Sequence, residues 1–330
     1  MSPGRGTRLL LVGESFSNAG TPIVGYAPSS QYIYYNAANS VATFLHFKTT
    51  LGIIQNFVQT TFSATLSGTP GLFTSNNPAP VYIKEIESGY PGLTLMVAGT
   101  GQSYYTTNWG STWSSSSSGV YARTKIATDG VFGMVGVWLS NGNISYFQGG
   151  GYNGWNTEAT GMTSPVVAVG HNGSVWLAIG DNGQHTTRAS GVWNTVQTGA
   201  PSNVNGLAWG GTQYVAISSN FSYVSATGYT GWSQAGQINT SQAYDIAYNS
   251  VLGLYMAVGI QWASISSNGT TWTDVTSEIS GSVSSGDSYW LSVEPITDMQ
   301  ISTNSSPTGL TKRNGFIIGA RNGVVYTWLV

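Results

Sequence analysis

A chain of 330 residues with 41% hydrophobic residues, including 12 Trp, 19 Tyr and 10 Phe, has enough apolar surface for a substantial core. Only 7% of its residues are charged, against roughly 25% in ordinary usage, so its surface must be built from Ser, Thr, Asn, Gln and Gly. Ten basic residues and a net charge of −2 exclude a counterion-displacing track for nucleic acid, and the lack of Cys excludes disulfides and thiolate metal sites.

In chain order, residues 1–24 read as an N-terminal arm. Its apolar run, residues 9–12, is too short for the core of a signal peptide, and no stretch approaches the roughly eighteen apolar residues of a membrane span. Neither an export signal nor membrane insertion is expected; the run reads as a short strand. Residues 25–80 carry one weak repeat mark, Gly71-Leu-Phe73, forty residues before Trp113. Between 80 and 283 the marks are strong. Trp113, Trp155, Trp193, Trp232 and Trp272 stand 42, 38, 39 and 40 residues apart, each shortly after a Gly. A second mark keeps the same period: Leu95-Met-Val-Ala-Gly99, Trp176-Leu-Ala-Ile-Gly180, Tyr214-Val-Ala-Ile-Ser218 and Tyr255-Met-Ala-Val-Gly259.

Residues 166–197 show the grammar of one unit. Strands are predicted at 166–169, 175–179, 184–188 and 192–196, separated by Gly/Asn turns such as Asp181-Asn-Gly183. Residues 284–330 read as a further copy without a fourth strand. Within it, 296–314, rich in Ser, Thr, Asn and Gly, reads as an inserted loop.

Four short strands per forty residues, with almost no helix-forming stretch, predict an all-β chain: a single β-propeller of four-stranded antiparallel blades over residues 1–330. Residues 80–283 supply five blades, 25–80 a diverged one and 284–330 the last, giving seven, with six or eight as alternatives. The 9–12 strand is expected to close the ring on the last blade. Small Ala and Gly suit crowded inner strands, and the five repeated Trp suit the wider gaps between outer parts of neighbouring blades.

Before Trp113, Thr106-Thr-Asn-Trp-Gly-Ser-Thr-Trp113 resembles the Asp-box of sialidase-type (BNR) propellers, S-x-D-x-G-x-T-W, with Thr and Asn where the motif has Ser and Asp. Ser266-Ser-Asn-Gly-Thr-Thr-Trp272 resembles a version one residue shorter, and Ser225-Ala-Thr-Gly228 before Trp232 a looser one. The resemblance implies a folding device, in which a polar side chain ties the turn and Trp packs beneath it. Sialidase chemistry would also need three Arg converging on a carboxylate. The family's Arg-Ile-Pro segment is absent, and the six Arg (5, 8, 123, 188, 313 and 321) are scattered.

No catalytic residues are identified. Glu85 and Glu87 alternate on one strand and read as solvated neighbours, not as two carboxylates flanking a glycosidic bond. His46, His171 and His185 are too dispersed for a metal motif, no Gly-x-Ser-x-Gly elbow occurs, and no cofactor is expected. The candidate binding residues lie on or beside the loops joining second and third strands: Asp181, His185, Phe221, Trp262 and Arg321. Phe221 and Trp262 stand out as aromatics at positions read as loop.

A chain without a signal, without Cys, poor in charge and rich in neutral polar residues looks like bacteriophage appendage proteins, which assemble in the host cytoplasm and act on the virion. The expected role is a virion structural and recognition module of a tail, fibre or head appendage. Its expected partners are other virion proteins and a host surface glycan. The alternatives are a carbohydrate-binding propeller lectin outside any virion and, third, a divergent glycoside hydrolase.

Overall fold

The computed structural model describes residues 156–279 without a break and, on either side, the strands named below. The fold is all-β, and the sole helical element among the described residues is the short 3-10 turn Thr276–Glu278. No described helix is long and apolar enough to cross a membrane. Among the described residues there are five four-stranded sheets, two three-stranded sheets and one hairpin.

The four-stranded sheets follow the chain without crossovers. They comprise Ile83–Tyr90, Leu93–Ala98, Gln102–Thr106 and Ser114–Ser117; then Ile126–Thr128, Met134–Val137, Asn143–Phe147 and Asn156–Ala159. Next come Val166–His171, Trp176–Gly180, His185–Ala189 and Val192–Trp193, followed by Gly206–Trp209, Tyr214–Ser218, Phe221–Ser225 and Ser233–Gln237. The fifth has Ala243–Asn249, Leu254–Gly259, Trp262–Ser266 and Thr273–Asp274. The three-stranded sheets are Ser30–Asn36, Val41–His46 and Leu51–Gln55, and Trp290–Ser302, Leu310–Ala320 and Val325–Leu329. Phe16–Asn18 pairs with Thr21–Ile23.

Within the segment expected to be an inserted loop, residues 296–302 and 310–314 are strand: Trp290–Ser302 and Leu310–Ala320 form an antiparallel pair, with Met299 opposite Arg313 and Ile301 opposite Thr311. Backbone pairing needs only N–H and C=O groups, and Thr and Ile favour strands, so polar composition was a poor guide here. Residues 9–12, Trp113, Trp155, Asn108 and Arg321 lie outside the described residues.

The backbone divides into two compact units, Val81–Ile246 with Ser266–Thr273, and Met1–Pro80 with Ala247–Ile265 and Asp274–Val330. In the first, the leading strands of successive sheets lie side by side: Ile83–Tyr90, Ile126–Thr128, Val166–His171 and Gly206–Trp209. Second strands are buried on both faces. Leu177, Ala178 and Ile179 are each 0% exposed, as are Tyr214, Val215, Ala216 and Ile217. A strand exposed on one face would alternate, so a continuous buried run means that each such sheet is covered on both sides. Ile144, Met162, Val166, Val169 and Ala178 form one of the intervening cores, with Trp193 against it. Val167, Leu177, Ile179, Val204 and Tyr214 form the next, with Trp232 against it. Fully burying a side chain such as Leu177 or Ile179 contributes about 1.5–3 kcal/mol.

The outer turns lock this stacking. In the 266–272 turn, Ser266 Oγ accepts the Gly269 N–H at 2.8 Å, while Asn268 Oδ1 accepts the N–H groups of Thr270 and Thr271, both at 2.9 Å. The 225–232 turn repeats the device. Ser225 Oγ accepts from Gly228 N at 2.8 Å, and Thr227 Oγ1 accepts from Tyr229 N and Thr230 N, both at 3.1 Å. Both glycines have positive φ, +74° at Gly228 and +68° at Gly269. A Cβ at Gly228 would fall 2.8 Å from Leu177, and one at Gly269 would fall 2.4 Å from Val215. Leu177 and Val215 hold the same place in the second strand of the preceding sheet. Each turn is therefore a bare-backbone contact that only Gly allows.

The repeated Trp follows each turn. Trp193 ends its short fourth strand, while Trp232 and Trp272 immediately precede theirs. All three are half-buried. Trp272 Nε1 donates to Ser222 Oγ of the preceding sheet at 3.1 Å, and Trp232 Nε1 donates to Gly228 O at 2.9 Å.

In the second unit the core joins Met256, Val258, Val275, Trp290, Val293, Phe316, Ile318 and Trp328. Polar ties accompany it: Asn249 Nδ2 donates to Gly315 O at 2.8 Å, and Trp328 Nε1 donates to Glu278 Oε2 at 2.9 Å.

Two glycine substitutions separate conformational strain from packing. Gly211, at φ +84° with nothing near its would-be Cβ, should lose about 1 kcal/mol on substitution by Ala. Gly269→Ala adds the clash with Val215, so its loss should reach about 2–4 kcal/mol. Equal losses in chemical denaturation would show that the turn does not seat as described.

Candidate functional site

Asp181 lies in the turn between second and third strands, where its N–H donates to Pro165 O at 2.9 Å and its carbonyl accepts from Asn203 N at 3.0 Å. Gly183 completes that turn at φ +82°, and a Cβ there would fall 2.5 Å from Ala200 O. The turn is thus pinned by its own backbone, leaving the half-buried Asp181 side chain on a fixed base.

His185, Phe221 and Trp262 each open the third strand of their sheet, so they are strand residues at equivalent places and not loop residues. Their surroundings differ. His185 is 1% exposed and Trp262 4%, whereas Phe221 is half-buried. Trp262 Nε1 is buried with no hydrogen-bond partner. Its ring is buried, and a partner would not reach it without a rearrangement. Asp181, His185 and Phe221 belong to the first unit; the structure brings Asp181 and His185 to the same turn region and places Phe221 on the next sheet.

Both ring nitrogens of His185 face backbone carbonyls, Nε2 to Tyr229 O at 3.0 Å and Nδ1 to Gly183 O at 3.3 Å. An imidazole with one N–H satisfies only one of them, and the shorter contact to Tyr229 has the better length for a hydrogen bond. His185 also meets Trp232 edge to face, with ring centroids 6.4 Å apart.

These contacts border a cavity of about 260 Å³ that the sequence reading missed, lined by His185, Gln197, Thr198, Tyr229, Thr230 and Trp232, with Gly199 and Gly231 beside them. Two segments make it: residues 197–199, after the fourth strand of one sheet, and residues 229–232, in the outer turn of the next. Tyr229 spans them, its hydroxyl donating to Thr195 O at 3.0 Å and accepting from Gln197 Nε2 at 3.2 Å. No Asp, Glu, Lys or Arg lines the cavity. One sequence signal pointed here: Gly228-Tyr-Thr-Gly-Trp232 is one residue longer than Gly269-Thr-Thr-Trp272 and carries Tyr where the latter has Thr.

The scattered ionisable residues have local roles where they are described. Arg188 Nε donates to Glu158 Oε2 at 2.9 Å, and its guanidinium lies 5.5 Å from the centre of the Tyr146 ring. Both partners are partly exposed, so the pair is worth no more than about 1 kcal/mol. Glu85 and Glu87 both fall in Ile83–Tyr90, opposite Val97 and Leu95. His171 packs against Trp176 with centroids 4.6 Å apart, and its Nδ1 accepts from Gly173 N at 3.2 Å. Burial pushes the Tyr214 hydroxyl above its usual range, and burial with the nearby Tyr248 does the same to Tyr255. Neither is poised for proton transfer near neutrality.

No family model matches the chain, and no curated protein matches it. Its fold resembles 1323 chains of solved structures. Among them is a chain from the crystal structure of a mitotic checkpoint complex, with a TM-score of 0.64, 14% identity, and 91% of this chain and 89% of that chain covered. At that identity the likeness concerns the fold alone, and one fold hosts many functions.

Burial predicts how two aromatic substitutions should behave. Trp262→Ala should lower stability by about 3–5 kcal/mol, as removal of a buried indole does. Phe221→Ala, half-exposed, should lose clearly less. A Trp262→Ala protein that melts with the parent would show that the ring does not pack as described.

Proposed function

We propose that this chain is a β-propeller that serves a virus particle as a structural and recognition module, in a bacteriophage tail, fibre or head appendage, holding neighbouring virion proteins or a host surface glycan. In this reading the sheets are seven blades, the outer turns are of the Asp-box type without sialidase activity, and residues 9–12 close the ring on the 290–329 sheet. The observation that carries it is the repeated seating of Gly turns and Trp residues on the preceding sheet, which makes a stiff frame from residues that spend no charge. A neutral surface of Ser, Thr, Asn and Gln then presents hydrogen-bonding groups with little long-range field, which suits adhesion to sugars and close packing among proteins.

The hydrolase alternative draws less support. Arg188, one of six Arg available to grip a carboxylate, is engaged by Glu158 and Tyr146. The lectin reading shares the glycan partner and differs in where the protein resides.

Mass spectrometry of purified particles should find the protein at a fixed copy number per virion, and a particle reconstruction should fit it. Its absence from particles would reject the virion role and favour the lectin. Ring closure has its own test. Removing residues 1–13 should expose a sheet edge, lowering stability or causing association. A monomeric truncation as stable as the parent would rule out that closure.

A further inference from the structure

We propose that the cavity between the 166–193 sheet and the 225–232 turn is a binding site for one neutral pyranose ring. This rests on the glycan arm of the function proposed above and names its site, which differs from the loop face around Asp181 and Phe221.

Size and chemistry both narrow the ligand. About 260 Å³ is just below the roughly 300–1,000 Å³ of sites for drug-sized molecules, which suits a single sugar ring. Trp232 and Tyr229 supply aromatic surface for the C–H groups of such a ring. Around them stand neutral hydrogen-bonding groups: Gln197, Thr198 and Thr230. Among the described residues the Thr198 hydroxyl and Gln197 Oε1 have no hydrogen-bond partner, so both are available to sugar hydroxyls. With no Lys or Arg in the lining, a carboxylated or phosphorylated sugar would meet no counter-charge.

The site is also fixed before a ligand arrives. Tyr229 is tied at both ends, its hydroxyl to Thr195 O and Gln197 and its carbonyl to the His185 ring. Trp232 is held by its own Nε1 bond to Gly228 O. Ring positions set in this way lose little side-chain freedom on binding. The next turn along, Gly269-Thr-Thr-Trp272, lacks both the Tyr and the extra Gly, and its Trp donates instead to Ser222. The extra residue and the Tyr distinguish this turn from the 266–272 turn.

The test uses the full chain and saturation-transfer NMR, backed by tryptophan fluorescence. The probes are methyl glycosides of glucose, galactose, mannose and N-acetylglucosamine, with the methyl glycoside of N-acetylneuraminic acid as the charged comparison. At least one neutral glycoside should bind and the charged one should not. Gln197→Ala and the cavity-blocking Thr198→Trp should each weaken binding tenfold or more while the protein stays folded by circular dichroism, whereas Val251→Ala, at an exposed residue outside the cavity lining, should leave binding unchanged. Neutral glycosides that bind both cavity variants as they bind the parent would overturn this site and leave the glycan arm standing. A parent that binds none of the four probes would also overturn it. Binding of host surface glycans through another face would in that case preserve the broader reading, and its absence would remove the glycan arm as well.

Discussion

Contact between an outer turn and the second strand of the preceding sheet is the constraint on which the rest of the described fold depends. Forty residues with four short strands have two apolar faces and cannot bury both alone. Stacking covers them, but stacking by side chains alone would hold the sheets apart at their outer parts. Gly228 and Gly269 remove that spacing by bringing main chain against Leu177 and Val215. Ser225 and Ser266 hold each glycine in its positive-φ conformation by accepting its N–H. Local hydrogen bonding and long-range packing thus select the same conformation, the kind of agreement that yields a single fold.

The turns are tied without charge. Ser, Thr and Asn can both tie the turn and face water. Asn268 does for the 266–272 turn what a carboxylate could do, accepting two N–H groups, but brings no charge to a surface with few partners for it. The cost lies in strength, since hydrogen bonds to an ionised acceptor are about twice as strong. Burial of second strands on both faces compensates.

Much of this was legible in the sequence because the period has two independent marks. The Ala-containing strands located the buried second strands, and the Trp spacing located the outer turns, so the all-β class and the four-stranded antiparallel sheets could be read directly. What was not legible has physical causes. Residues 296–302 and 310–314 looked like loop because their composition is polar, yet strand pairing is made by the backbone. Phe221 and Trp262 looked like loop aromatics because turn length cannot be read to one residue, and one position decides whether a ring opens a strand or caps a turn. Trp262 is buried and Phe221 is not, a difference set by neighbours far away in the sequence.

The cavity illustrates the deeper limit. Its walls come from residues 197–199 and 229–232, some thirty positions apart, and of these only Trp232 belongs to the repeat. The signal was a difference between two neighbouring turns, Gly228-Tyr-Thr-Gly-Trp232 and Gly269-Thr-Thr-Trp272. At Tyr229 the turn lengthens by one residue, yet the polar ties to His185, Thr195 and Gln197 keep its neighbours in place. In a repeat fold, then, periodic residues report the frame, and a turn that departs from its neighbour while its aromatic side chains stay tied is a place to look for a ligand.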